Sequence, residues 1–150
     1  FDLRLTKSGL FFHHLNPDIC SKPLVALICC DNTEKETPQG LISFFKTYAK
    51  FHDAPLAGIL VRNAGRFAGH GRDPEAYKRA PKLAETYQAF EQAGHELATT
   101  GRVSPATQKK ASQNIIPMPP LIRLLKNFRP VKEKMLEQAR KMTRYSQGDV

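Results

Sequence analysis

Two short apolar runs, Leu24 to Cys30 and Leu56 to Val61, stand about 30 residues apart with one helix pattern between them. Each run is strand length and lies between polar or turn residues. Lys22-Pro23 and Asp31-Asn32 bracket the first. A continuous apolar run of this length reads as a strand buried on both faces of a parallel sheet. Between the runs, Thr37-Pro38 supplies a cap and a first-turn proline. Leu41, Phe44, Phe45, Tyr48 and Ala49 then recur at helical spacing. Strand, helix and strand in this order form a parallel βαβ crossover, so the expected class is α/β.

The flanks are helical in the same reading. Leu3 to Leu15 reads as a helix that Gly9 makes imperfect. Asn16-Pro17-Asp18 is a turn. Asp73-Pro74-Glu75 opens a helix that Pro81 kinks or breaks. From Lys82, the residues Leu83, Ala84, Tyr87, Phe90, Gly94, Leu97 and Ala98 make one apolar stripe, and Gly101 ends it. Ser104-Pro105 starts a short helix. Ile116 to Pro120 reads as an extended connector. Two more short helices follow, the last opened by Pro130 with Val131, Met135, Leu136, Ala139 and Met142 inward. At 150 residues the chain has the length of one domain. Residues 1–101 are the expected α/β portion, and 102–150 a helical C-terminal extension packed on it.

Charge separates these two portions. The net charge is +9, with +1 on residues 1–101 and +8 on residues 102–150. A basic tail attracts phosphate-rich partners or acidic surfaces, and it also serves as a solvated face. Nucleic acid therefore enters as a partner class that charge allows, with no recognised DNA- or RNA-binding fingerprint behind it. The three cysteines, Cys20, Cys29 and Cys30, match neither a disulfide framework nor a zinc pattern. They read as buried free thiols of a reducing compartment, hence the expectation of a cytoplasmic protein. No apolar run approaches the roughly 20 residues that span a bilayer, so no membrane partner is expected. The five histidines form no H-x-x-x-H pair, and G-x-S-x-G is absent.

In an open parallel sheet, ligands bind beyond the carboxyl ends of the strands. That rule selects two loops. The first holds Cys30, Asp31, Asn32 and Thr33, whose amides and short polar side chains suit a heterocycle's edge. The second runs from Arg62 to Arg72 and contains Asn63, Gly65, Arg66 and Phe67. Glycine permits close backbone approach, arginine pairs with phosphate, and Phe67 can cover a ring. Neither a G-x-G-x-x-G fingerprint nor a P-loop is present. A polar turn and a solvated loop are the plain alternatives at these two places.

The stretch Leu10-Phe11-Phe12-His13-His14-Leu15-Asn16-Pro17, followed by Lys22-Pro23-Leu24-Val25-Ala26-Leu27-Ile28, resembles the approach to and the fourth strand of flavodoxin-fold NAD(P)H-dependent FMN reductases. Asp73-Pro74-Glu75, Ala93-Gly94-His95-Glu96-Leu97 and Gly101-Arg102-Val103-Ser104-Pro105-Ala106-Thr107-Gln108 are similar to the end of that family. The resemblance implies a flavodoxin-like fold, FMN as cofactor, NAD(P)H as electron donor and hydride or electron transfer through the flavin. It implies that Cys30, Asp31, Asn32 and Thr33 lie beside the isoalloxazine, with Asn63, Gly65, Arg66 and Phe67 in the following strand-end loop. No catalytic side chain is implied. The family's glycine- and serine-rich phosphate loop does not occur here, and its first three strands would lie before Phe1. Three alternatives remain open: a companion chain supplies that half, upstream residues supply it, or flavin binding has been lost. A two-stranded sheet leaves open edges, so a homo-oligomer or a companion chain is expected. The rival reading is a non-catalytic α/β binding or assembly module whose basic tail contacts a partner or nucleic acid.

Overall fold

The computed structural model describes residues 2–20, 22–65, 81–116, 125, 128–134 and 136–137. Two compact units divide the chain, residues 1–116 and 117–150. The first unit contains β1 (Leu3–Leu5), β2 (Phe11–His13), α1 (Pro17–Cys20), β3 (Leu24–Cys29), α2 (Gln39–His52), β4 (Leu56–Arg62), α3 (Pro81–Thr100) and α4 (Pro105–Ala111).

The crossover is present. β3 and β4 pair in parallel, from Leu24↔Leu56 to Cys29↔Arg62, with a register shift between Leu24 and Val25. Helix α2 links them. On one face of the pair, Leu60 packs with Ala89 and Ala93 of α3, with Val103 and with Ala111 of α4. Gly58 lies on this same face, where a methyl group added to it would sit 3.0 Å from Val103 Cγ2. Ala26 and Ile28 are buried on the opposite face. Burying a residue of leucine size contributes about 1.5–3 kcal/mol, so Leu60 and Leu83 are principal anchors of this small core.

Burial on both faces does not hold for β3. Leu27 is 64% exposed and Cys29 is exposed as well. Helices α3 and α4 cover β4 but stop short of Leu27. The cysteines are free, and none is buried.

Residues 3–15 form an antiparallel hairpin rather than a helix, with Leu3↔His13, Arg4↔Phe12 and Leu5↔Phe11 paired. The reversal has a local cause. Gly9 adopts φ +77°, and the Thr6 hydroxyl accepts from the Leu10 amide at 3.0 Å. Three-residue strands are too short to display alternation against a helical period. Phe12 packs on Phe51 and His52 of α2, while Leu3, Leu5 and Phe11 face outward. The Asn16 turn continues into the single-turn α1, with the Asn16 side chain accepting from the Asp18 amide.

Helix α2 starts one residue later than its cap pattern suggests. Pro38 holds the N-cap position without a side-chain hydrogen bond, and Asp53 closes the helix at φ 54°. Its inward residues are Ile42, Phe45 and Ala49, whereas Leu41, Phe44 and Tyr48 are exposed. Helix α3 is described from Pro81 onward. It buries Leu83, Thr86, Ala89 and Ala93, so its inner stripe is rotated from the one the large residues suggest. Small residues win that face because α3 packs closely against α4. Gly101 (φ 72°) ends α3, and the Ser104 hydroxyl caps α4 by accepting from the Thr107 amide.

In the second unit, residues 129–134 and 136–137 are helical. Arg129 and Glu133 pair at 2.9 Å on an exposed face, and Leu136 is exposed.

Candidate functional site at the carboxyl ends of the strands

The two loops selected from the sequence meet in space. The Cys30 amide donates to the Arg62 carbonyl at 3.0 Å, which extends the ladder past the strand end. The Gly65 amide donates to the Cys30 carbonyl at 3.0 Å, and the Ala64 amide to the Asn32 carbonyl at 3.2 Å. Side chains close the seam. Asn63 Oδ1 accepts from the Cys30 thiol at 3.2 Å, and its Nδ2 donates to the Glu34 carbonyl at 3.1 Å. Ala64 takes a positive φ of 55° to make this turn.

Cys30, Asp31, Asn32, Thr33, Asn63 and Gly65 therefore sit together. Arg66 and Phe67 lie outside the described residues, as do Gly69, His70, Gly71 and Arg72. Gly65 approaches the first loop so closely that an added methyl group would lie 2.5 Å from Cys29 Sγ. Only glycine permits that approach.

Several polar groups here are already used. Asn63 spends both ends of its amide on loop closure, and the amides of Ala64 and Gly65 point into the seam. The groups left to meet a ligand are the Thr33 hydroxyl and Asn32 Oδ1, since Asn32 Nδ2 donates to the Thr37 hydroxyl at 3.4 Å. Burial first, and then the neighbouring Cys29 and Asp31, hold the Cys30 thiol above its ordinary value.

Arg62 departs from the role its sequence position suggests. Rather than reaching toward a phosphate, its guanidinium is buried behind β4. Nε donates to the Asn63 carbonyl at 3.0 Å, and Nη1 to the Ala111 carbonyl at 3.1 Å. Nη2 donates to the Gln113 carbonyl. Burial lowers its pKa, with the nearby Cys29, Cys30 and Tyr87 opposing the shift. The cation sits where the last carbonyls of α4 need donors, which is the favourable end of a helix for positive charge.

The edges of the sheet are unequal. On the outer side of β4, the Ile59 amide donates to Gln108 Oε1 and the Val61 amide to Ser112 Oγ, both at 3.0 Å. The Val103 amide donates to the Ala57 carbonyl at 2.8 Å. These contacts seal β4. In β3, the amides of Leu24 and Cys30 point toward β4. By alternation, those of Val25, Leu27 and Cys29 face away, and no described strand pairs with them. Gln108 and Ser112 escaped sequence reading because a side chain that substitutes for a strand carries no periodic signal.

Among the described residues, no group of three or more His, Cys, Asp or Glu could hold a metal ion. No helix among them is long and apolar enough to cross a membrane. What the fold and these loops define is a mixed α/β unit with a parallel pair, one sealed edge and one open edge. Compared with models of known protein families, with curated proteins and with solved structures, the chain matches none.

Proposed function

We propose that this chain is a flavodoxin-like, FMN-binding, NAD(P)H-dependent oxidoreductase or the C-terminal portion of one. The observation that carries the reading is the junction of the two strand-end loops at Cys30–Asn63 and Gly65–Cys30. The described residues suit the edge of a flavin ring: Asn32 Oδ1 can accept and the Thr33 hydroxyl can donate or accept there, and Gly65 keeps the floor low. For the FMN phosphate they offer no cradle. Flavin when bound would supply the hydride chemistry. This chain's part is to flank the ring and to exclude water from one side of it.

The open edge of β3 supports the same reading. A segment pairing there would extend the parallel sheet, cover Leu27 and stand where a phosphate loop is needed. That segment belongs to a companion chain, a second copy or more of this polypeptide.

A second reading, a non-catalytic α/β assembly module, draws on one observation. The loop polar groups are satisfied mainly by one another, as in a structural turn. The basic residues 102–150 would then contact a partner or nucleic acid.

The deciding measurement is a visible absorption spectrum after FMN is added and the excess removed. Retained flavin near one equivalent per chain supports the oxidoreductase reading, and NAD(P)H oxidation would follow. No retained flavin, alone or with a strand-supplying partner, favours the assembly module. In that case a steep loss of nucleic-acid affinity with salt would identify the tail's partner.

A further inference from the structure

The opposite end of the sheet carries a second feature. A cleft of about 500 Å³ opens between the β1–β2 turn and the last turns of α2. That volume falls within the ~300–1,000 Å³ typical of small-molecule sites. Lys7, Lys46 and Lys50 stand on it, and Ala49, Pro55 and Leu56 supply an apolar wall.

Two elements, α2 and the hairpin turn, place those lysines on one cleft. Lys46 and Lys50 are four residues apart on α2 and share a face. Lys7 comes from the hairpin turn, 46 residues before Asp53, and is held there because its amide donates to Asp53 Oδ1 at 2.8 Å. Arg4 pairs with Asp53 Oδ2 and holds the hairpin against the helix. Asp53 is the carboxylate of the cleft, and both its oxygens are thus engaged. Among the described residues, no carboxylate forms an ion pair with Lys7, Lys46 or Lys50. Charge at the end of a helix explains Lys50 alone. It does not explain Lys46, nearly two turns from the helix end, or Lys7 on another element.

We propose that this cleft binds a diphosphate-bearing small molecule of nucleotide size. Lys7, Lys46 and Lys50 hold the anion, and its organic part lies against Ala49, Pro55 and Leu56. The site is separate from the strand-end loops. The seven residues of β4 place about 20 Å between the two ends of the strand.

The test is calorimetric titration of the full chain with ADP and with inorganic pyrophosphate at low ionic strength, where exposed ammonium groups are least screened. Saturable binding of either probe at one per chain is expected. ADP binding tighter than pyrophosphate assigns a share to the apolar wall, and equal binding assigns the diphosphate group alone. The combined variant K46Q/K50Q should weaken binding about tenfold while leaving thermal unfolding and FMN uptake as they were. The reference variant K132Q/K134Q removes the same charge from the second unit and should leave binding unchanged. No saturable binding of either probe overturns the proposal, and so does equal weakening by both double variants.

Discussion

The Glu96 carboxylate accepts from the Ser104 amide at 2.7 Å, so a side chain near the end of α3 caps the start of α4. Its other oxygen accepts from the Thr107 hydroxyl at 2.7 Å and from the Ser104 hydroxyl at 3.2 Å. One carboxylate thus organises a helix–helix corner. That corner sets the position of Gln108 and Ser112, which seal β4.

Acid should loosen this corner. The Ser104 amide first, and then the Thr107 hydroxyl, hold Glu96 below its ordinary value of 4.5. A depressed carboxylate stabilises the fold above its unfolded value and loses that contribution as pH falls through its folded value. Glu96→Gln should remove the Glu96 share of the fall in urea midpoint below pH 4.5 and leave the share of Asp53. Ser104→Ala should cost about 1 kcal/mol at neutral pH through loss of the cap. Urea titrations across pH check both.

The hairpin should detach in a similar window for a different reason. Its tie is Asp53, held below its ordinary value of 3.8 first by the hydrogen bond from Arg4. The contribution is present above 3.8 and fades as pH falls through the folded value. Amide hydrogen exchange at Thr6 and His14, whose amides bond across the hairpin, should therefore accelerate in acid before exchange in β4 does. Asp53→Asn should show the same acceleration at neutral pH. Unchanged exchange in that variant would mean that Phe12 packing alone holds the hairpin.

Gly58→Ala should destabilise the unit by about 1–3 kcal/mol, because the new methyl meets Val103 at 3.0–3.1 Å. Pairing it with Val103→Ala should recover part of that cost. A double-mutant cycle on denaturant midpoints reads the coupling. Purely additive effects would count against the close approach as the cause.

Arg62→Met should cost about 2–3 kcal/mol, since it leaves the carbonyls of Ala111 and Gln113 without their charged donor. Arg62→Lys should recover little, because one ammonium cannot span Asn63, Ala111 and Gln113 together. Thermal unfolding of both variants tests this, and a lysine variant as stable as the parent would refute the bridging role.

The crossover was legible because Leu24–Cys30 and Leu56–Val61 combine strand length with turn residues on both sides. The meeting of Cys30–Thr33 with Asn63 and Gly65 followed from that topology alone. Three features were not legible. Leu3, Leu5 and Phe11 fit a helical face as well as a strand, since a hairpin strand of three residues barely alternates. Thr86, Ala89 and Ala93 replace larger residues on the inner stripe of α3, because close packing against α4 selects for size rather than hydropathy. Arg62 looked like a phosphate ligand by sequence position, yet its partners are carbonyls some 50 residues away that only the tertiary fold assembles.

The sealing of β4 by Gln108 and Ser112 decides what kind of growth the sheet permits. A sheet with two free edges can recruit copies endlessly and build a filament. Here one edge is terminated by side chains, so strands can be added from the β3 side alone. Among the described residues the β3 edge is the open one, without a partner strand, so two copies joined there would use both such edges and would stop at a closed pair.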